Sequence, residues 1–557
     1  VIVLVGRSLG LEIFPKVDAG RFQLRMRAPD GTRYEETERL AIAALETIAT
    51  EVGRDNVAIS VGYVGLIPSS YPINAIYQWT GGPEEAILRV AMKEGAKVDI
   101  ERLKERLREE LAAQLPGVRL SFEPADLVSE VMSFGSPTPV DVAVTGPNLA
   151  DDRAFAEKLR KELGEIPSLR DLQYGLSLDY PTIRIELDRE RAGLSGVTAA
   201  DVARSVVAAT SSSRFVVPNY WPDPKTGIGY QVQVEIPYQI MDSIETIETV
   251  PVQRPGLDRQ VLLRDVAQVR PGTMPGEYDR YNMKRSVSLT ANIAGEDLGR
   301  VARRVEQAIQ RAGEPPKGAI VDVRGQIRPL EEILQGLGLG LGMSIVVILL
   351  LLTANFQSVQ LALVVVSTTP AVVAGVVLML WLTGTTVNLQ SFMGSIMAIG
   401  VAVANAILLV TFAEGHRREE NAAAGPAAVA GAQGRLRPIL MTSCAMIAGM
   451  VPMSLGLTEG GEQTAPLARA VIGGLVAATL ATLTVLPTVF ALVQGQAGRE
   501  SASLDPDDPA SPHYHEEEEE AQKLAPPSIN GEPQVVSSQV SPGGPGPPSD
   551  PGAEPSR

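Results

Sequence analysis

Residues Ile333 to Ala413 contain no Asp, Glu, Lys, Arg or His. About twenty apolar residues span the hydrocarbon core of a bilayer, so this run is long enough for three crossings. Two breaks divide it, Asn355-Phe356-Gln357-Ser358 and Thr383-Gly384-Thr385-Thr386-Val387-Asn388. Two further apolar stretches follow, at about Pro438–Leu457 and Leu467–Val493. The pattern predicts five transmembrane helices, at about 331–353, 359–382, 390–413, 438–457 and 467–493. The core of a water-soluble protein does not account for it, because core helices rarely go without charge over such lengths.

Residues 7–330 are patterned differently. Phe22 to Arg27 alternates apolar and polar, as a strand with one wet face does. Asp30-Gly31 signals a turn, and Thr32 with Glu35 makes a capping box that opens a helix over about 33–51. Val57–Val61 returns as a strand. The strand–helix–strand order recurs in Val140–Val144, a helix at 150–163 and Leu172–Leu178, and again in Ser286–Ala291, a helix at 297–312 and Ala319–Val323. A helix over 100–114 followed by Val118–Phe122 adds a further pair. Such repeats predict split βαβ subdomains, each with helices on one face of a small sheet. Residues 193–273 read as an insertion, a small α+β module. It has a helix near Ala199–Ala208 capped by Thr198, a turn-rich loop Tyr220–Gly227 and a strand Gln231–Ile236.

Charge and composition exclude several functions. A net charge of −16 with no basic patch argues against nucleic acid as a partner. All three histidines, His416, His513 and His515, lie outside 7–330, which excludes a Ser-His-Asp triad or a His-ligated zinc site there. Cys444 is the sole cysteine and falls in a predicted membrane helix, so the large polar region has neither disulfide nor thiolate. No metal site or cofactor motif is read from the chain. The opening Val1-Ile2-Val3-Leu4-Val5 is too short to span and has no charged n-region; it reads as the tail of a helix that begins earlier. The Pro-, Gly- and acid-rich tail, 494–557, is expected to be disordered, its His513-Tyr514-His515 and Glu516–Glu520 simply solvated.

The arginines give the orientation. Arg417, Arg418, Arg435 and Arg437 fall in the predicted loop 414–437, whereas the other short loops carry none apart from Arg469 at the edge of the last helix. The positive-inside bias makes that loop cytoplasmic, so residues 7–330, three crossings away, are extracytoplasmic.

Within the helices, Gly336, Gly338, Gly340 and Gly342 have small-xxx-small spacing, which lets backbones approach, and do not have the spacing of a phosphate cradle. Met441, Met446, Met450 and Met453 fit apolar packing better than a soft-metal relay. Asn405 is an amide in an apolar helix that needs a partner on another helix; glue and polar relay both fit it. Arg435 and Arg437 sit where snorkelling anchors would.

Gly434-Arg-Leu-Arg-Pro-Ile-Leu-Met-Thr-Ser443 resembles the start of the eleventh transmembrane helix of the resistance–nodulation–division (RND) efflux permeases. Asn405-Ala-Ile-Leu-Leu-Val410 is similar to their tenth helix, and Glu12-Ile-Phe-Pro-Lys-Val-Asp-Ala-Gly20 to the segment after their seventh. Ile183-Arg-Ile-Glu-Leu-Asp-Arg-Glu-Arg-Ala-Gly-Leu-Ser-Gly196 resembles the strand entering their docking insertion. The resemblance implies a C-terminal half: residues 1–20 a helix remnant and connector, 21–138 the third porter subdomain, 139–192 with 274–330 the fourth, 193–273 the docking module, and 331–493 five membrane helices. It also implies a proton-driven exporter in a bacterial inner membrane. Its partners would be the N-terminal half of the permease, a periplasmic adaptor and an outer-membrane channel, and it would be a homotrimer when complete. Asn405, Arg435 and Thr442 match positions that support the proton relay in drug exporters, although Ala404 stands where those have a lysine. Met132, Met241, Met274 and Met283 are scattered, which favours organic over metal substrates. A membrane scaffold that docks without transporting, or a heavy-metal or lipid transporter of the same superfamily, are the other expectations.

Overall fold

A four-stranded and a five-stranded sheet, each backed by two helices, account for most of the chain before residue 326 in the computed structural model. The structure describes residues 2–15, 20–66, 79–96, 98–237, 239–254, 256, 259–456 and 460–495. The acidic tail from residue 496 on, with its His and Glu run, and positions 16–19 of the Glu12–Gly20 motif lie outside the described residues.

The first sheet contains β1 (Arg21–Arg27), β2 (Val57–Val64), β3 (Glu85–Met92) and β4 (Arg119–Glu123), with α1 (Tyr34–Val52) and α2 (Ile100–Gln114). Its order is β2-β3-β1-β4, every neighbour antiparallel. Each βαβ unit is thus split by a strand of the other. The second sheet repeats this with β5 (Val140–Gly146), β6 (Leu169–Tyr174), β7 (Lys284–Ile293) and β8 (Ile320–Gly325), in the order β6-β7-β5-β8, with the two-residue strand Arg280–Tyr281 added on the start of β7, and with α3 (Leu149–Gly164) and α4 (Leu298–Ala312). Phe22, Leu24 and Met26 of β1 pack on Leu103, Leu107 and Leu111 of α2; Val140, Val142 and Val144 of β5 meet Phe155 and Leu159 of α3 and Val301 and Val305 of α4. Burying each such side chain contributes about 1.5–3 kcal/mol.

Helix starts follow the short polar residues. Asp99, Asn148 and Asp297 each accept a backbone N–H at the first turn of α2, α3 and α4. The capping box expected of Thr32 and Glu35 is not formed. The helix begins at Tyr34, so Thr32 stands one residue too early, and its hydroxyl donates to the Pro29 carbonyl (2.6 Å) and closes the preceding turn.

The insertion leaves the second sheet along Tyr180–Leu187 and returns along Ala267–Met274, paired antiparallel over their full length. Thr198 and Asp201 cap its helix Ala199–Thr210 reciprocally, as the sequence indicates. Asn219–Pro222 and Gly229–Val232 form a wholly exposed hairpin. The strand expected over 231–236 stops at Val232, because Val234 instead exchanges hydrogen bonds with Ser213 (2.8 and 2.9 Å).

Five helices are long and apolar enough to cross a membrane: α5 (Ile327–Phe356), α6 (Val359–Leu382), α7 (Leu389–Glu419), α8 (Ala424–Leu455) and α9 (Gly461–Gln494). Gln357 in the left-handed region ends α5, Ser358 caps α6, and Asn388 caps α7 with Ser391, at the two expected breaks. The loop expected over 414–437 shrinks to 420–423. Glu414 pairs with Arg417 and Arg418 one turn on (2.8 and 2.7 Å), which carries α7 to Glu419 with its charges satisfied.

α9 packs against α6, α7 and α8. A Cβ at Gly473 would stand 2.6 Å from the Gly375 carbonyl oxygen; one at Gly474, 2.5 Å from the Ala398 Cβ; one at Gly394, 2.5 Å from the Leu467 carbonyl oxygen. The close crossings are therefore here. At Gly336, Gly338, Gly340 and Gly342 a Cβ would meet nothing within 4 Å, so among the described residues this stripe has no packing partner. Gly473→Val should destabilise the bundle by about 1–3 kcal/mol through overpacking, whereas Gly338→Val should be near neutral. Denaturant unfolding of the purified chain in detergent measures both.

Candidate functional site

The two sheets turn their helices outward and their polar faces toward one cleft of about 580 Å³. On the first sheet the period-two pattern that sends Phe22, Leu24 and Met26 into the core sends Gln23, Arg25 and Arg27 to the cleft. Arg25 bonds Glu123 (2.6 Å) and reaches Glu85 (3.4 Å). Arg27, 4% exposed, bonds Glu85 (2.5 Å) and donates to the Tyr174 and Gly175 carbonyls of the second unit (2.9 and 2.8 Å). Trp79 at the rim donates to Glu277 (2.8 Å). On the second sheet Asp141, Gln173, Thr290 and Arg324 face the same space. The units are joined beside it at Asp171, where a non-glycine residue in the left-handed region (φ 56°) holds Arg108 of α2 through both carboxylate oxygens (2.8 and 2.9 Å). Asp171 also accepts from Phe122 N and from Asn292, which in turn donates to Ser121.

None of these cleft residues was picked out from sequence. Their one local signal is the Gln23/Arg25/Arg27 alternation, which reads as a wet face; the pairings join residues far apart in the chain. The methionines stay apart: Met132 packs beside the second core, Met241 in the insertion, and Met274 and Met283 are exposed.

A second feature ties this head to the helices. The connector Gly10–Ile13 runs beside the α6–α7 loop: Val387 N donates to Gly10 O (2.8 Å), Glu12 N to Val387 O (3.0 Å) and Leu389 N to Ile13 O (3.1 Å). On its other side Leu11 N donates to Asp297, the cap of α4 (2.9 Å), and Gly299 N to Leu11 O (3.0 Å).

Within the bundle the three expected relay positions are not linked to one another. Asn405 is buried, and no hydrogen bond from its amide to another helix is found among the described residues. Thr442 bonds back to its own helix, at the Pro438 and Ile439 carbonyls (3.1 Å each). Arg435 lies over the Phe412 ring (5.2 Å), its buried Nε without a partner. The polar ties between helices are instead Thr479 to Ser443 (2.8 Å) and Arg469 of α9 to Thr385 (2.7 Å) and the Ser454 carbonyl (3.0 Å). Met441 and Met453 lie exposed on α8 and do not fill its packed side.

A helical membrane bundle bearing a head of split βαβ units is the architecture of the RND permeases. The AcrB/AcrD/AcrF family profile matches residues 1–494, and the chain belongs to that family. It is 30% identical over 400 residues to the nickel-cobalt-cadmium resistance protein NccA of Alcaligenes xylosoxydans xylosoxydans, covering 71% of this chain and 36% of that one. It is 26% identical to the cobalt-zinc-cadmium resistance protein CzcA of Cupriavidus metallidurans, covering 88% and 46%. The crystal structure of a heavy metal efflux pump superposes with a TM-score of 0.75 at 23% identity, over 89% of this chain and 49% of the other. The chain thus spans about half the length, or less, of these relatives.

Burial pushes the Asp141 carboxyl up to about 6, against the opposing pull of Arg324. Burial likewise raises Glu277 and Asp279. The unfolded value is near 3.9, so the folded chain holds the extra proton between about pH 4 and 6. Its contribution to stability falls as pH rises through that window and is level above it. The stability difference, wild type minus Asp141→Asn, should therefore drop by on the order of 2–3 kcal/mol between pH 4 and 7. Denaturant melts at pH 4, 5.5 and 7 measure it; a flat difference would contradict the buried carboxyl.

Proposed function

We propose that this chain is the C-terminal half of a proton-driven RND efflux permease that exports organic amphiphiles, with residues 7–330 on the periplasmic side of a bacterial inner membrane. In this reading residues 21–138, and 139–192 with 274–330, are porter subdomains. Residues 193–273 dock toward an adaptor protein and an outer-membrane channel. Substrate enters the cleft between the two sheets. The observation that carries the reading is the connector: one extended segment bonds both the α6–α7 loop and the first turn of α4, so a shift of the bundle moves the wall of the cleft.

The cleft's charges favour organic over metal cargo. Glu85 and Glu123 are already held by Arg25 and Arg27, so a metal ion would have to displace two guanidinium groups to use them. The relatives' names favour a second reading, export of divalent transition metals. Asn405, Arg435 and Thr442 serve the proton path, whose ionisable carriers come from the other half of the permease. Asn405, buried without a partner, is the position through which that half's polar groups would connect.

Export is tested in a pump-deficient bacterium expressing the chain with a matching N-terminal half. Dye accumulation should fall several-fold and recover with a protonophore. Protection from nickel, cobalt or zinc without any effect on dyes would favour the metal reading, and no change in either would favour the scaffold. In the working pair, Gly299→Val should abolish export at normal membrane abundance, because a Cβ there stands 2.6 Å from the Leu11 Cβ. Self-association is the further test. The hairpin exposes three aromatic side chains, Trp221 and Tyr230 in ring contact and Tyr220 next to them in the strand. Their joint replacement by Ser should shift the complex from trimer to a smaller species in native mass spectrometry while the circular dichroism stays unchanged.

A further inference from the structure

The second sheet's wall of the cleft contains an ordered polar row. Strand register sets Gln173 of β6 beside Thr290 of β7, Thr290 beside Asp141 of β5, and Asp141 beside Arg324 of β8. Period-two alternation puts all four on the face opposite α3 and α4. Three of the four carry a buried atom without a hydrogen-bond partner: Gln173 Oε1, Asp141 Oδ1 and Arg324 Nη2. Asp141 is 7% exposed, and all four residues line the cleft. Buried polar atoms are paired in the great majority of cases, so three in one row facing one cavity require an explanation.

What the row offers is a sequence of chemistries: an amide acceptor, a carboxylate acceptor, then a guanidinium donor. Arg324 is oriented by Asp322 (3.3 Å) and by the Tyr281 ring beneath it (4.8 Å), which leaves Nη2 free. A bare cation would be repelled by Arg324 and would leave its donor unused. A bare anion would be repelled by Asp141. A group bearing both charges on neighbouring atoms satisfies each. Neighbouring strands lie about 4.8 Å apart, which suits the short separation of ammonium and anion in an α-amino acid or an ethanolamine phosphate.

We propose that Gln173, Thr290, Asp141 and Arg324 form a recognition subsite for a zwitterionic head group, its ammonium against Asp141 and Gln173 and its anion against Arg324. Only the biological use of this subsite rests on the reading of the cleft as a substrate path. Binding to the purified chain tests the subsite, and export by the paired halves tests that reading.

The chain has three tryptophans. With Trp221 and Trp381 replaced by Phe, Trp79 at the rim reports occupancy by its fluorescence. The chain in detergent is titrated with L-phenylalanine, lyso-phosphatidylethanolamine, phenethylamine, 3-phenylpropanoate and Zn²⁺, with calorimetry in parallel. At least one of the two zwitterions should bind ten-fold or more tightly than both single-charge analogues. Preference for phenylalanine identifies a free amino-acid-like solute as the source, and preference for the lysolipid identifies a lipid head. Asp141→Asn and Arg324→Gln should each erase the preference while circular dichroism is unchanged. Should one variant fail to fold, the other and the wild-type panel still decide. Equal binding of phenethylamine, tight binding of Zn²⁺, or no binding by any probe (a row that is merely hydrated) would each overturn the proposal.

Discussion

The extended connector at Gly10–Ile13 is the contact on which the rest of the architecture depends. It belongs to neither the head nor the bundle by composition, yet it supplies backbone hydrogen bonds to both. Backbone groups at a membrane boundary must be satisfied, and a polar loop of six residues between two apolar helices has few partners of its own. The connector supplies them to the 383–388 loop, and Glu12 adds a bond to the Thr386 hydroxyl (3.0 Å). Glycine is needed on both sides of this joint. A Cβ at Gly10 would press on the Asp297 side chain (2.9 Å), just as one at Gly299 would press on Leu11. With a stiffer joint the two parts would still fold, but they would no longer be registered to each other.

The cleft follows a different logic. Its polar pairs are cross-strand: Arg27 opposite Glu85 on β1 and β3, an ion pair, and Gln23 opposite Glu123 on β1 and β4, an amide donating to a carboxylate. Buried pairs of this kind add little net stability, because desolvation offsets most of the attraction. They do specify arrangement. Arg27 has spare donors after binding Glu85, and these reach the Tyr174 and Gly175 carbonyls across the cleft. The same guanidinium therefore holds the inner face of one sheet and the edge of the other. Asp171 does the reciprocal work from the second unit, and its left-handed backbone coincides with the register shift between Thr290 and Asn292 of β7. The interruption of the ladder is what turns its carboxylate out of the sheet toward Arg108.

How much of this the sequence made legible depended on whether the relevant signal was local. The five apolar helices and their two breaks were legible because lipid demands length and apolarity in one continuous stretch. The α2 boundaries and the Thr198 cap were legible because periodicity and capping act within a few residues. β3 was not. Glu85–Met92 is covered on both faces, so it shows no alternation, and Glu-Ala-Ile-Leu-Arg-Val-Ala-Met suits a helix equally well. Without β3 the split βαβ units were readable as repeats but not as an interleaved sheet. The capping box at Thr32 failed because its pattern fixes the motif only to within a residue, and one residue of shift turned the cap into a turn. The arginine-rich segment after Ala413 has the charge density of a loop; with those charges paired along one helix face it extends α7 instead.

The bundle's polar positions limit what these five helices can do with a proton. A relay needs groups that change charge, held close enough to exchange a proton. Asn405 and Thr442 can accept or donate hydrogen bonds but do not titrate, and Arg435 offers only donors. In the proposed reading these residues would therefore support a carrier and not be one. The glycine stripe of α5 carries the same implication. A run of small residues on an apolar helix presents a surface into which another helix can settle at close range, and here it faces open space beside Leu339 and Met343, both exposed. Tight crossings within the chain are already made at Gly375, Gly394, Gly473 and Gly474, so the α5 stripe is not needed for internal packing. Like Asn405, the stripe is left unused by the packing of the five described helices.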